Sequence, residues 1–351
     1  MKERNHAFDL LCGICIVRMV MLHIISFCGK AEEQWWIEIM AWSYFFMCFF
    51  FFKAGYFNRG VSGPTLPYLK DRARRLLVPW VCWGLIGNIV YFSFLPHMIE
   101  RYHKPVEDIS WSHVWESSAF YGNAPMWFLF SFFMAYMVAH FIEKIPRLHW
   151  IVLFFPFIGA LLWMLGNPLW LNLNNVFMGV YFFYLGRLWS WLISRYGRRT
   201  MFYVSLSFFA GFVLCNIFWR GSFQMSSNTF TGNPLSSIVG VTLALTGIAG
   251  MLLTLRVPRI PLINFIGEHS MVFFVSHYPM LYFYKFVHLS FGRSIYHRTD
   301  DLIILIPVIF CLCAWLVPYV ESVPCLSGRW PKKTAAPAVD VQKAHSKVKK
   351  R

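Results

Sequence analysis

Two histidines stand within long apolar stretches of the sequence, where an ionisable side chain needs a physical reason. His23 lies 14 residues beyond Asp9, about 21 Å along a helix that rises ~1.5 Å per residue. A neutral imidazole at that depth can act as a general base toward an incoming hydroxyl, or it can be hydrogen-bonded to a neighbouring helix. His277 lies near the middle of a later stretch. Pro279 removes a backbone hydrogen bond beside it, so local backbone groups can also line a cavity there.

Arg18, in the same stretch as His23, and Lys53, in the next apolar stretch, are cations that also lie within predicted spans. A charge at the middle of a membrane helix costs about 2.5–3.5 kcal/mol on insertion scales. Arg18 precedes His23 by five positions and lies about 140° away around the helix. It therefore faces a different cavity or pairs with a polar group on another helix. Lys53 lies near the cytoplasmic end of its stretch, where it either extends harmlessly to the surface or contacts an anionic ligand from the cytosol.

Arg72 and Arg75 form the second strong feature, because residues spaced i,i+3 share a helix face. Two guanidinium groups on one face suit a phosphate or pyrophosphate. The alternative is simple anchoring on the cytoplasmic side of a membrane, and charge alone favours that alternative.

The elements that must position these residues are apolar helices. The chain has 351 residues, of which 58% are apolar and 14% charged, whereas a soluble domain has roughly a quarter charged. This composition excludes ordinary soluble, disordered and small disulfide-bonded proteins. It predicts an all-α polytopic membrane protein of about ten helices, at residues 8–28, 37–57, 77–95, 125–144, 150–165, 175–193, 201–219, 237–255, 266–288 and 302–321.

The distribution of cations predicts the orientation. With the N-terminus inside, the predicted inside segments hold 22 Lys and Arg residues and the outside segments hold 6. This asymmetry follows the positive-inside rule and predicts that both termini are cytoplasmic. The net charge of +16 therefore reflects topology, and we expect contact with membrane lipid and no nucleic acid. The pattern predicts a membrane domain over 1–326 and a basic, disordered cytoplasmic tail over 327–351. No cluster has zinc spacing and no nucleotide-binding glycine motif occurs, so neither a metal site nor a bound cofactor is predicted.

Several short motifs in order resemble the acyltransferase-3 family of integral membrane acyltransferases, over roughly residues 6–321. They are residues 8–13 leading to His23, residues 50–56, Arg72-x-x-Arg75, and residues 125–129, 184–187 and 270–279. One departure stands out: the family usually has an Arg eleven positions before the first-helix His, and this chain has Cys12 there. Either Arg18 or Lys53 then supplies the missing cation, or the chemistry differs.

The resemblance implies transfer of an acyl group, with acyl-CoA (acetyl-CoA) as co-substrate, to a hydroxyl of a glycan or lipid-linked saccharide. Arg72, Arg75 and Lys53 would then bind the donor, and His23 would deprotonate the acceptor. His277, together with Arg18 or Trp127, would position the acceptor or stabilise the developing oxyanion. The expected location is a cell membrane, either a bacterial inner membrane or a plasma membrane.

A secondary transporter or polysaccharide exporter is the competing interpretation. Ten helices, spans interrupted by Gly and Pro, and buried charges also suit a carrier. The absence of an evident sequence repeat, and the predicted position of the Arg pair on a cytoplasmic loop, argue against it.

Overall fold

Helices make up nearly all the regular structure. The computed structural model describes residues 6–58, 64–102, 112–166, 169–255, 257–290 and 299–331. The first seven helices are α1 (His6–Phe27), α2 (Gln34–Ser43), α3 (Cys48–Phe57), α4 (Thr65–Tyr102), α5 (Ser112–Ser117), α6 (Trp127–Lys144) and α7 (Phe155–Met164). The other seven are α8 (Asn174–Trp219), α9 (Pro234–Ala244), α10 (Gly250–Thr254), α11 (Pro261–Glu268), α12 (Ser270–Ser290), α13 (Thr299–Ser322) and α14 (Pro324–Ser327).

The remaining elements are short. Three 3₁₀ segments (Ala124–Met126, Pro146–Phe154 and Trp170–Asn172) precede helices, and a π-helical segment (Leu245–Ala249) joins α9 to α10. Strands β1 (Ser222–Gln224) and β2 (Thr229–Thr231) form a small antiparallel hairpin. The predicted all-α fold class is confirmed.

Among the described residues, eight helical segments are long and apolar enough to cross a membrane. One of them contains α8, whose 46 residues would extend about 69 Å, more than twice the hydrocarbon thickness of a bilayer. At Gly197 the helix is interrupted by a positive φ of 79°, which glycine adopts at little cost. The rings of Trp189 and Phe208 are 5.9 Å apart, although 19 positions of straight helix would separate them by about 29 Å. The chain therefore reverses at Gly197.

The polytopic membrane class is thus confirmed, while the count of ten stays a prediction. The reversal within α8 adds one segment to the eight, and α12, which is not among the eight, packs against α1, α4 and α13.

Helices α3 and α8 pack with their backbones in contact. A Cβ at Gly55 would overlap the carbonyl oxygen of Phe183, and a Cβ at Gly186 would overlap that of Phe52. Small residues at such crossings let membrane helices approach closely. This contact fixes the position of α3, and with it the position of Lys53.

Helix α1 lies in the core, with 14 of its 22 residues buried, and its register with the later helices brings distant residues together. Gly13 approaches Gly267 of α11 closely, and Phe27 contacts Tyr282 of α12 with ring centroids 5.4 Å apart. His23 contacts Tyr278 and Phe27 contacts Tyr282, so residue numbers increase together along α1 and α12, and the two helices run in the same direction. His23 and His277 each come ten residues after the glycine contact.

The structure moves both ends of the predicted span 77–95. Residues 65–76, predicted as part of a loop, form the start of α4, so Arg72 and Arg75 lie on a helix. At the other end, α4 continues through Tyr102, and the rest of the predicted outside loop up to residue 111 lies outside the described residues. Pro156, inside the predicted span 150–165, stands in the first turn of α7, where its missing N–H costs nothing.

The residues on both sides of the predicted boundary between domain and tail contact the membrane helices. Position 327 falls within α14, and the residues just beyond it pack onto the membrane domain. Arg329 pairs with Glu321, and the Trp330 indole donates a hydrogen bond to the carbonyl oxygen of Arg74 at 2.9 Å. Residues 332–351 of the predicted tail lie outside the described residues.

Candidate functional site

The two intramembrane histidines, 254 positions apart in the sequence, meet in the structure. Their ring centroids are 5.2 Å apart, with 32° between the ring planes. Tyr278 contacts the His23 ring edge-on at 5.1 Å. His277 is completely buried, whereas His23 is half-buried. Of the two imidazoles, His23 is therefore the one a ligand can reach first.

Backbone carbonyls hold the His277 ring. Its Nδ1 is 2.8 Å from the carbonyl oxygen of Phe274 and 3.0 Å from that of Phe273. Since a carbonyl oxygen only accepts hydrogen bonds, Nδ1 carries the proton and donates. Within the described part of the chain, Nε2 is buried and has no hydrogen-bond partner.

Pro279 shapes the backbone next to this pair. A proline has no N–H to donate to the carbonyl four residues earlier, which here belongs to Val275. The side-chain amide of Asn123 donates to that oxygen at 2.9 Å and to the carbonyl oxygen of Trp83 at 3.3 Å. The freed carbonyl is therefore bonded to the segment before α6 and does not open into a cavity.

A cavity of about 430 Å³ lies between α1, α3, α4, α6 and α12. Two of its lining residues, Asn58 and Arg72, lie next to the connection between α3 and α4, which the cation count predicts to be cytoplasmic. Most of its wall is apolar, and among the described residues no acidic side chain lines it. Its cationic lining residues are Lys53 and Arg72, and its other polar ones are Asn58, Tyr136 and Ser270.

The Lys53 side chain reaches Cys12. Its ammonium donates to the Cys12 sulfur at 2.9 Å, so the cation reaches the place of the residue eleven positions before His23. Arg18 points elsewhere: its Nε donates to Ser43 of α2 at 3.0 Å, and its guanidinium lies 3.8 Å from the centroid of the Phe46 ring. Lys53 therefore brings positive charge to the cavity, and Arg18 ties α1 to α2.

The two arginines of the predicted pair separate. The Arg72 guanidinium lies 4.3 Å from the ring centroid of Tyr136 and 5.2 Å from that of Tyr68, and Arg72 lines the cavity. Its buried Nε has no hydrogen-bond partner within the described ranges. Arg75 is bonded through its Nε to both carboxylate oxygens of Asp71, at 2.9 and 3.0 Å. Arg75 is not among the described residues that line the cavity.

Two phenylalanines connect the cavity to the histidines. Phe128 and Phe274 both line the cavity and contact each other edge to face at 5.3 Å. The Phe274 ring lies 6.4 Å from the His277 ring. Trp127 begins α6 beside Phe128 but is not among the described residues that line the cavity. The cavity thus ends at an aromatic wall in contact with His277.

Sequence reasoning missed the residues of this wall and the amide of Asn123. The aromatic motifs contain Phe128 and Phe274, but nothing in one sequence distinguishes a cavity wall from ordinary core packing. Pro279 signals that a carbonyl needs a partner, without indicating which side chain supplies it.

A cluster of metal-type ligands lies away from this cavity. Side-chain atoms of His6, Asp9 and Glu268 are within 4.8 Å of one another, in the part of the chain that is described. Arg259 already pairs with Glu268 at 3.1 Å, so its guanidinium offsets negative charge there.

The fold and this site define a polytopic helical membrane protein with a cation-lined cavity that ends beside a pair of imidazoles. The acyltransferase-3 family model, described as an acyltransferase domain, matches residues 5–318. The chain therefore belongs to the acyltransferase-3 family and is a membrane acyltransferase, which confirms the resemblance. No curated protein and no solved structure matches the chain.

Proposed function

We propose that the protein transfers an acyl group, most simply acetyl, from cytosolic acyl-CoA to a hydroxyl of a glycan or glycolipid in a cell membrane. The observation that supports this most strongly is the cavity. It has apolar walls and two cations and ends next to the only imidazole pair among the described membrane segments. A long, partly apolar donor with anionic phosphates at one end and a thioester at the other suits such a cavity.

The donor side follows from charge and shape. The phosphates of CoA would lie at the mouth, where Arg72 offers a planar fork of N–H donors and Lys53 offers an ammonium group. The pantetheine arm would extend between Phe50, Phe132 and Met271 toward the aromatic wall. None of the described residues that line the cavity is acidic, so these residues present no negative charge that would repel the phosphates.

The acceptor side needs a base, since a hydroxyl is a weak nucleophile until its proton is removed. His23 would take that proton as the hydroxyl oxygen attacks the thioester carbon. The C–O bond forms, the C–S bond breaks, and the protonated imidazole returns the proton to the CoA thiolate. The products are an ester and free CoA, and no net proton is released.

Release of CoA thiol by purified protein in nanodiscs tests this proposal. Acetyl-CoA is supplied with and without candidate glycans, and His23→Gln serves as the matched inactive protein. Release that depends on both the glycan and His23 supports acyl transfer. Parental protein that moves a glycan across a bilayer without releasing CoA would instead favour the transporter interpretation.

A further inference from the structure

The hydrogen bonds of His277 determine its tautomer. Nδ1 lies within 3.0 Å of two backbone carbonyl oxygens, and oxygens of this kind only accept, so the proton is on Nδ1. In the neutral ring, Nε2 then carries a lone pair and no hydrogen. His277 can accept a hydrogen bond at Nε2 but cannot donate one to an oxyanion from there. This differs from the oxyanion role expected from the sequence.

The Nε2 atom is buried without a partner within the described ranges, and a buried acceptor in this condition is costly. The nearest polar ring is that of His23. A centroid separation of 5.2 Å is short enough for an N–H of His23 to reach Nε2 at an ordinary hydrogen-bond length, once the rings turn edge to edge. Catalytic hydrogen bonds are often long in the unliganded state and shorten when the substrate binds.

We propose that His277 is a positioning residue for His23. Its Nε2 accepts an N–H from His23 and holds that ring in one tautomer, so that the other nitrogen of His23 presents its lone pair to the acceptor hydroxyl. The difference in burial assigns the roles, because the fully buried ring is out of reach of a substrate and the half-buried ring is not. The partner of a histidine commonly fixes which of its nitrogens is the base. The consequence for the rate rests on the proposed acyl transfer, whereas the tautomer assignment does not.

Two variants separate positioning from the other roles of His277. In His277→Asn, the amide N–H can replace Nδ1–H as donor to the carbonyls, but nothing replaces Nε2. In His277→Gln, the amide oxygen reaches the place of Nε2 and can accept from His23, although it cannot take up a proton.

The experiment combines ¹⁵N NMR of histidine-labelled full-length protein in nanodiscs with acceptor-dependent CoA release. His23 is assigned by difference from His23→Gln. We expect one tautomer at His23 in the parent and in His277→Gln, and a mixture in His277→Asn. His277→Asn should lose about 10- to 100-fold in turnover, the range for a lost orienting partner, and His277→Gln should lose less than about threefold.

Each other outcome overturns the proposal. A mixture of tautomers at His23 in the parent protein would show that His23 does not donate a hydrogen bond to Nε2 of His277. If His277→Asn turns over as fast as the parent protein, His277 serves only in helix packing. If both variants lose turnover equally and by a large factor, His277 is itself the base. If the parent releases no CoA with any acceptor, the proposed function fails, while the NMR spectra still decide the tautomer.

Discussion

Arg72 and Arg75 should differ sharply in their effect on donor binding, although the sequence presents them as a pair. Arg72 lines the cavity and has an unpartnered Nε within the described residues, whereas Arg75 is engaged by Asp71 outside it. A hydrogen bond to a charged partner contributes about 1.5–3 kcal/mol. Arg72→Ala should therefore raise the Kd for acetyl-CoA about 10- to 150-fold, at ~1.4 kcal/mol for each factor of ten.

Arg75→Ala should have a small effect on the same Kd. Its side chain is 40% exposed in the ion pair with Asp71, and exposed ion pairs contribute about 0–1 kcal/mol. We expect a change of less than about fivefold. Arg72→Lys keeps the charge but loses the planar fork, so its Kd should lie between those of the parent and Arg72→Ala.

The assay is calorimetric titration of nanodisc-embedded protein with acetyl-CoA, repeated with dephospho-CoA to reveal which contacts depend on phosphate. Thermal stability is measured alongside, because Arg72→Ala also removes cation–π contacts worth about 0.5–2 kcal/mol. Equal losses for Arg72→Ala and Arg75→Ala in folded protein would refute the assignment of the cavity to the donor. A larger loss for Arg75→Ala would refute it too.

Three further outcomes are expected. His23→Gln should lower acceptor-dependent turnover about 10²–10⁴-fold with an unchanged Kd for acetyl-CoA, and near-parental turnover in single-turnover assays would make His23 structural. Phe128→Ala, in folded protein, should raise kcat/KM for butyryl-CoA relative to acetyl-CoA by about tenfold or more, since a methylene in an apolar pocket is worth 10–200-fold. An unchanged ratio would show that the aromatic wall does not limit the acyl chain. Gly186→Ala should lower the thermal stability by separating α3 from α8, at about 1–3 kcal/mol, whereas Gly211→Ala, whose Cβ would meet Leu243 at an ordinary 3.4 Å, should not. Equal melting temperatures would contradict the close helix contact.

The fold class could be predicted from composition and cation placement because both follow from the energetics of the bilayer. The predicted spans agree in place with the helices of the structure, and Arg72 and Lys53 lie at one cavity, as their shared cytoplasmic position suggested. Hydropathy does not predict the start of α4, because the basic residues around Arg72 have the low hydropathy that is typical of a loop. A helix can extend beyond the bilayer with its polar turns in water.

The details of the site depend on contacts that are distant in the sequence. Helical rise alone places His23 and His277 at different depths, because it ignores that α11 packs beside the beginning of α1. Only this packing places both histidines the same number of residues beyond a common contact. Likewise, the proximity of Lys53 to Cys12 requires the crossing of α3 over α8. A single sequence contains no pattern that predicts either contact.

Isotope transfer tests the central claim most directly. Acetyl-CoA carrying a ¹³C-labelled acetyl group is supplied on the cavity side of proteoliposomes, and the glycan acceptor is analysed by mass spectrometry. The expected result is a labelled acetyl ester on a glycan hydroxyl with the parent protein and none with His23→Gln. An unlabelled glycan, at the same time as full release of CoA by the parent, would contradict acyl transfer to that acceptor.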